Sequence, residues 1–99
     1  MDIKLIDRGT EGELILSGRI DAKNAEEFGQ ILSKMSDRFR DLTLDMSGLK
    51  YISSAGLRSI QLLYMKVHNN GGELSAKNVN KYIKEVFELT GFAEILNIS

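Results

Sequence analysis

Apolar and polar residues alternate at the start of the chain, then recur at helical spacing, then alternate again. Ile3-Lys4-Leu5-Ile6-Asp7 and Glu13-Leu14-Ile15-Leu16-Ser17 each have the short, largely apolar pattern of a strand. Arg8-Gly9-Thr10-Glu11-Gly12 between them has turn composition, which predicts an antiparallel hairpin. Gly18-Arg19-Ile20-Asp21 then leads into a helix whose core positions are Ala25, Phe28, Ile31, Leu32 and Met35. Asp21 is placed to cap that helix, and Glu26 and Glu27 suit its positive end. Leu42-Thr43-Leu44-Asp45-Met46 predicts a buried strand. A second helix, from Leu57 to about Asn69, carries Leu57, Ile60, Leu63, Tyr64 and Val67 toward the sheet and ends at Asn70-Gly71-Gly72. Glu73 to Ala76 predicts a short strand. A third helix runs from about Asn80 to Thr90 with Ile83, Val86, Phe87 and Leu89, stopped by Gly91, and Ala93 to Ile98 can add an edge strand.

The order β-β-α-β-α-β-α-(β) defines an α/β chain with a mixed sheet of four to five strands and helices packed against it, in one domain over residues 1–99. Partners of such sheets gather at the carboxyl ends of the parallel strands. The loops at Asp21 and at Ser53-Ser54 each follow such an end, so they are expected to be neighbours.

Composition narrows the function classes. With 42% apolar and 27% charged residues the chain has the make-up of a globular protein. Thirteen basic against fourteen acidic residues, without a basic block, leave no electrostatic footprint for nucleic acid. No apolar run approaches the roughly 20 residues of a membrane span, so no membrane insertion is expected. The N-terminal Met1 to Asp7 lacks the character of a secretory signal. The chain has no cysteine, which excludes thiol chemistry and cysteine zinc sites and fits a cytoplasmic setting. One histidine, His68, makes no case for a metal site, and no cofactor is expected.

The stretch Leu49-Lys50-Tyr51-Ile52-Ser53-Ser54-Ala55-Gly56-Leu57-Arg58 carries the candidate chemistry. Two hydroxyls lie where a helix begins, and the free amides and positive dipole end there favour a negative group. Ser54 has two readings: a helix cap, or an acceptor of phosphate in an open turn kept clear by Ala55 and Gly56. Ser53 reads as a turn hydroxyl. Asp21 is a cap, or a carboxylate that borders the serine site. The amides of residues 55–57 are expected to hold an added phosphate. Arg58, Leu62 and Met65 fall on the helix face opposite the core stripe, where they are either ordinary exposed residues or a docking patch. Tyr51 and Tyr82 read as packing residues, and Lys77, Lys81 and Lys84 as a solvated face.

An exposed serine between strand and helix invites comparison with a hydrolase nucleophile elbow. That motif needs Gly-x-Ser-x-Gly, and Ile52 stands where the first glycine is required. His68 lies about four helical turns along, roughly 20 Å from Ser54 at ~1.5 Å per residue, too far to activate it. There is no Gly-x-x-x-x-Gly-Lys phosphate loop. No enzyme is expected.

The segment Leu44 to Leu57 resembles the signature of the STAS domain (sulfate transporter and anti-sigma factor antagonist), in particular that of the bacterial anti-sigma factor antagonists. Gly18-Arg19-Ile20-Asp21, Gly71-Gly72-Glu73-Leu74 and Phe87-Glu88-Leu89-Thr90-Gly91-Phe92 resemble flanking family motifs, so the likeness spans nearly the whole chain. It implies a single STAS domain with Ser54, two residues before the motif glycine, as phosphoacceptor. The preceding position, aspartate in the best-known antagonists, is Ser53 here. Ser53, Ala55, Gly56 and Asp21 would support the site, and Arg58, Leu62 and Met65 would meet the partner. The resemblance implies an anti-sigma factor that is also a GHKL-type serine kinase, a serine phosphatase that resets the switch, and control of sigma-dependent transcription. The alternative is a non-phosphorylated regulatory STAS module that binds another protein or a small ligand in stress signalling or transport.

Overall fold

A computed structural model describes residues 1–98. Strands β1 (Asp2–Arg8) and β2 (Glu11–Ile20) form the expected hairpin, closed by the pair Arg8 and Glu11. Helix α1 (Ala25–Arg38), strand β3 (Asp41–Ile52), helix α2 (Ser54–Asn69), strand β4 (Leu74–Lys77), helix α3 (Lys81–Thr90), a single helical turn α4 (Phe92–Ile95) and strand β5 (Asn97–Ile98) complete the order. The five strands lie in the order β1-β2-β3-β4-β5; β1 is antiparallel to β2, and β2 through β5 are mutually parallel.

Each parallel step moves the same way across the sheet, so right-handed crossovers place their helices on one face. One buried cluster confirms this. It joins Leu14, Leu16, Leu42, Leu44 and Ala76 of the strands to Phe28 and Leu32 of α1, Ile60, Leu63 and Val67 of α2, and Ile83 and Phe87 of α3. Cross-strand register puts Glu13, Ile15, Thr43, Asp45, Ser75 and Lys77 on the opposite face.

The elements differ from the sequence expectations in extent and in which residues they bury. Strand β3 extends to Ile52 rather than stopping near Met46, because β2 continues alongside it. Its pairing slips between Ile15 and Ser17 and between Gly18 and Arg19, and these bulges break the alternation that would have marked a strand. Gly48 sits at the first slip, where a Cβ would lie 2.7 Å from the Cβ of Ser17. The C-terminal segment makes the turn α4 before a two-residue strand, so only its end reaches the sheet. Leu89, placed in the core stripe of α3, is 88% exposed, and Tyr82 is also exposed. The helix is short enough that Ile83, Phe87 and half-buried Val86 make its contact alone.

Lys77 is not part of a solvated face. Its ammonium bonds Glu13 Oε1 at 3.0 Å, and Arg8 Nη1 reaches the same oxygen at 2.8 Å. The two cations bury the Glu13 carboxylate and hold its pKa below the ordinary 4.5, the Arg8 hydrogen bond contributing most. Asp45 is buried beside it. Burial alone would raise its pKa, but the Ser47 amide (3.0 Å) and the Asn78 side-chain amide (3.2 Å) outweigh that and lower it. Both groups are depressed in the folded state, so their stabilisation is complete above the unfolded carboxylate range. It is lost as pH falls through the folded values. Wild type is therefore expected to melt progressively earlier as pH drops below 4.5, and Glu13→Gln to show a flatter profile in thermal scans at stepped pH. Identical slopes would mean that Glu13 contributes no proton linkage.

Candidate functional site

The site forms where β2 and β3 end together. Ile20 pairs with Ile52, and the Ser53 amide donates to the Ile20 carbonyl at 2.8 Å, so the loops at Asp21 and Ser53 adjoin. Gly56 brings the first turn of α2 onto those strand ends: a Cβ there would lie 2.7 Å from Ile20 Cγ2 and 2.8 Å from Ile52 Cγ1. Arg19 stacks its guanidinium over the Tyr51 ring, 4.4 Å from its centre, at the same edge.

The two serines have different jobs. Ser53 has extended backbone (φ −80°, ψ 168°) and its hydroxyl accepts from the Gly56 amide at 3.2 Å. It is the cap of α2, a role typically worth about 1 kcal/mol. Ser54 is thereby released from capping. It is the first residue of α2 and is exposed, and among the described residues its hydroxyl makes no hydrogen bond. The Gly56 amide is taken by Ser53 Oγ and the Leu57 amide by the Ser53 carbonyl (2.9 Å). The amides open to an anion are therefore those of Ser54 and Ala55, not the whole 55–57 set. Helix α2 starts three residues earlier than the apolar stripe indicated, because a stripe marks the buried face and not the exposed first turn.

Asp21 caps the turn that opens onto α1 (Ala25–Arg38): its Oδ1 accepts from the amides of Lys23 (2.9 Å) and Asn24 (3.1 Å), and its carbonyl accepts from the Ala25 amide at 3.0 Å, the first i to i+4 bond into the helix. Asn24 answers by accepting from the Asp21 amide and donating to the Arg19 carbonyl, both at 2.9 Å. The Asn24 amide is the main cause of the lowered Asp21 pKa. Asp21 therefore takes the capping role its position suggested, one turn before the regular helix.

Arg58, Leu62 and Met65 are exposed; Leu62 and Met65 keep 50% and 52% of their surface open. At 100° per residue Ser54, Arg58, Leu62 and Met65 share one stripe of α2. Leu62 and Met65 do not point away from the fold, as their place opposite the core stripe suggested. They line a groove of about 660 Å³ between α1 and α2, whose other walls include Glu26, Gly29, Ser59 and Lys66. Ser59 fixes the helix crossing by donating to the Ala55 carbonyl (3.2 Å) and the Ala25 carbonyl of α1 (3.4 Å), and a Cβ on Gly29 would sit 3.1 Å from its hydroxyl. Farther along, Lys66 bonds Ser33 Oγ (2.9 Å) and Asp37 (3.1 Å). Ser59, Gly29 and Lys66 were not legible as site residues, because nothing in the sequence says which face of α1 lies beside α2. His68 stacks on Tyr64 at the far end of α2, with ring centroids 5.6 Å apart. Among the described residues no cluster of metal-ligating side chains exists, and no helix is long and apolar enough to cross a membrane.

Comparison with known proteins finds relatives along nearly the whole chain. The family model described as "Mlab, STAS domain" matches residues 5–97. BtrV of Bordetella bronchiseptica, named as a candidate anti-sigma factor antagonist, is 36% identical over 92 residues, covering 90% of this chain and 79% of that one. The anti-sigma-B factor antagonist of Bacillus subtilis is 26% identical, covering 85% of this chain and 77% of its own length. Among solved structures, the anti-sigma factor antagonist SpoIIAA of Bacillus superposes in its unphosphorylated form with a TM-score of 0.81. That match has 16% identity and covers 99% of this chain and 88% of that one. Its phosphorylated form superposes at 0.79, with 14% identity and coverage of 99% and 91%.

Proposed function

The chain belongs to the STAS domain family, and on that premise we propose that it works as an anti-sigma factor antagonist switched by phosphorylation of Ser54. In this reading residues 1–99 act as one binding domain without catalysis of their own. The unphosphorylated form holds an anti-sigma factor that is also a GHKL-type serine kinase, which frees a sigma factor for transcription in the cytoplasm. That kinase transfers the γ-phosphoryl group of ATP to the Ser54 hydroxyl, releasing ADP and a proton, and the complex separates. A serine phosphatase hydrolyses the ester and resets the switch.

The observation that carries this reading is the division of labour between the serines. Ser53 satisfies the helix start, so Ser54 presents an unbonded hydroxyl on an exposed first turn beside the open amides of Ser54 and Ala55. A phosphate there meets the positive end of α2 and requires no unfolding. The SpoIIAA fold matches this chain about equally with and without phosphate, which supports a switch that acts through surface charge and not through refolding. The partner surface would run from Ser54 along Arg58 to Leu62 and Met65.

Phosphate mapping on protein isolated from its own host, with phosphatases inhibited, tests the acceptor. Phosphate on Ser54 is the expected result. Phosphate on Ser53 would move the acceptor by one residue, and none under growth or stress would replace the switch with a non-phosphorylated regulatory module using the same groove. The docking face has its own test. Leu62→Glu or Met65→Glu is expected to weaken binding of the anti-sigma factor about tenfold or more, since each buries a charge in an apolar contact. Because both residues are half exposed, their melting temperatures are expected to stay within a degree or two of wild type. Early melting would instead place the residue in the core.

A further inference from the structure

The two edges of the sheet are unlike. Strand β5 offers only Asn97 and Ile98, whereas β1 offers seven residues with nothing paired on its outer side among the described residues. The helix layer packs over β2 and β3 and reaches β1 through Arg38 of α1, whose guanidinium pairs with Asp7, while Leu5 remains 37% exposed.

The hairpin geometry fixes which groups point outward. Gly9-Thr10 is a two-residue turn, with Gly9 at φ +85°. The bond that closes such a turn joins Arg8 and Glu11, so Arg8 directs its main chain at β2. By alternation Asp2, Lys4 and Ile6 do the same, and Ile3, Leu5 and Asp7 present their N–H and C=O groups to the open edge. An antiparallel partner must therefore bond at these odd positions.

For a second copy of β1, only three registers meet that requirement and overlap five or more residues. One sets Lys4 directly opposite Lys4 of the second copy, and another sets Lys4 opposite Arg8, twice over. The third centres on Leu5. It overlaps the full strand, bonds Ile3 to Asp7 and Leu5 to Leu5, and sets Asp2 opposite Arg8 at both ends. Opposite charges facing across strands stabilise the pair, and like charges oppose it. Arg8 uses Nη1 on Glu13, leaving Nη2 for the incoming carboxylate, and Asp2 makes no side-chain hydrogen bond among the described residues. The same register lays the exposed Leu5 side chains against each other on the helix side.

We propose that the outer edge of β1 is a self-association surface, on which a second copy of this chain pairs antiparallel about Leu5 to give a continuous ten-stranded sheet. The paired area is small, so the dimer is weak and forms at high protein concentration. It lies on the opposite sheet edge from α3, and Ser54, at a strand end, stays free in both copies.

Sedimentation of the full chain over a concentration series tests this surface. The weight-average mass is expected to rise toward that of two chains. Asp2→Arg, which places like charges at both ends, is expected to raise the dissociation constant about tenfold or more, and Leu5→Lys, which sets two ammonium groups across the twofold, to do at least the same. Circular-dichroism melts of both variants at low concentration are expected to match wild type, because both residues are exposed. Asp2→Glu keeps the acid that faces Arg8 and leaves the Arg8–Glu13 pair intact, and is expected to associate like wild type. A wild-type chain that remains a monomer throughout overturns the proposal, as does a dimer indifferent to Asp2→Arg and Leu5→Lys.

Discussion

Gly72→Ala is expected to cost about 3 kcal/mol or more and to lower the melting temperature by about 10 °C or more. A Cβ at Gly72 would lie 1.8 Å from the Arg40 carbonyl oxygen and 2.8 Å from its carbon. Both are main-chain atoms and cannot turn aside as a side chain would. The surrounding backbone is tied at several points: the Gly72 amide to the Val67 carbonyl (2.9 Å), the Leu42 amide to the Glu73 carbonyl (3.0 Å), and the Glu73 amide to Asp41 Oδ1 (2.8 Å). Relieving the clash means separating the start of β4 from the start of β3, where Leu42 pairs with Leu74. Gly71→Ala is the informative control. Gly71 has φ +77° but nothing within 4 Å of a Cβ, so only the left-handed backbone opposes alanine, at about 1 kcal/mol. Thermal melts of the two variants separate the effects. Equal small losses would mean that the loop yields freely and that close approach at Gly72 is unimportant.

That pair of glycines also shows how far sequence reasoning reached. Asn70-Gly71-Gly72 was legible as a helix stop because terminating a helix is local chemistry, and α2 does end at Asn69. Gly72's second role depends on a carbonyl some thirty residues earlier in the chain, and no local pattern encodes it. The same division runs through the molecule. The hairpin, the three main helices and the parallel order were readable because periodicity and capping residues act over a few positions, as Asn80 shows by accepting from the Ile83 amide at 2.9 Å. The bulged half of β3 was hidden because its slips suit β2 and not itself. Asp21 and Ser53 were recognised as chemistry at loop ends; which hydroxyl caps and which stays free required the geometry of the turn. Arg8, Glu13 and Lys77, apart in sequence, meet on the sheet face opposite the helices only once the register is known.

Phosphorylation of Ser54 is expected to loosen the complex with the anti-sigma factor about a hundredfold or more while leaving the domain slightly more stable, two effects of opposite sign from one group. At the proposed partner surface, nearly two negative charges would enter a contact built on apolar Leu62 and Met65, and an unpaired desolvated charge there costs roughly 2–5 kcal/mol. Within the domain the same phosphate lies at the positive end of α2, with the open amides of Ser54 and Ala55 beside it. Arg58 stands one turn on, and an acid four residues before a cation is the favourable order on a helix. These terms add roughly 0.3–1 kcal/mol from the dipole and about half a kcal/mol or less from the pair. Ser54→Ala is expected to bind like unphosphorylated wild type, and Ser54→Asp, with one charge on a shorter stem, to bind about tenfold more weakly. Isothermal titration of the unphosphorylated and phosphorylated chains and of the two variants, alongside their thermal melts, reads both signs at once. Arg58→Ala in the phosphorylated background should remove part of the melting gain, and its effect on affinity is read against Arg58→Ala without phosphate, because Arg58 also lies on the proposed partner surface. Equal affinities for Ser54→Ala and the phosphorylated chain would sink the switch. A large drop in melting temperature on phosphorylation would show that the helix start is rebuilt, and release would then follow from unfolding of the site rather than from its charge.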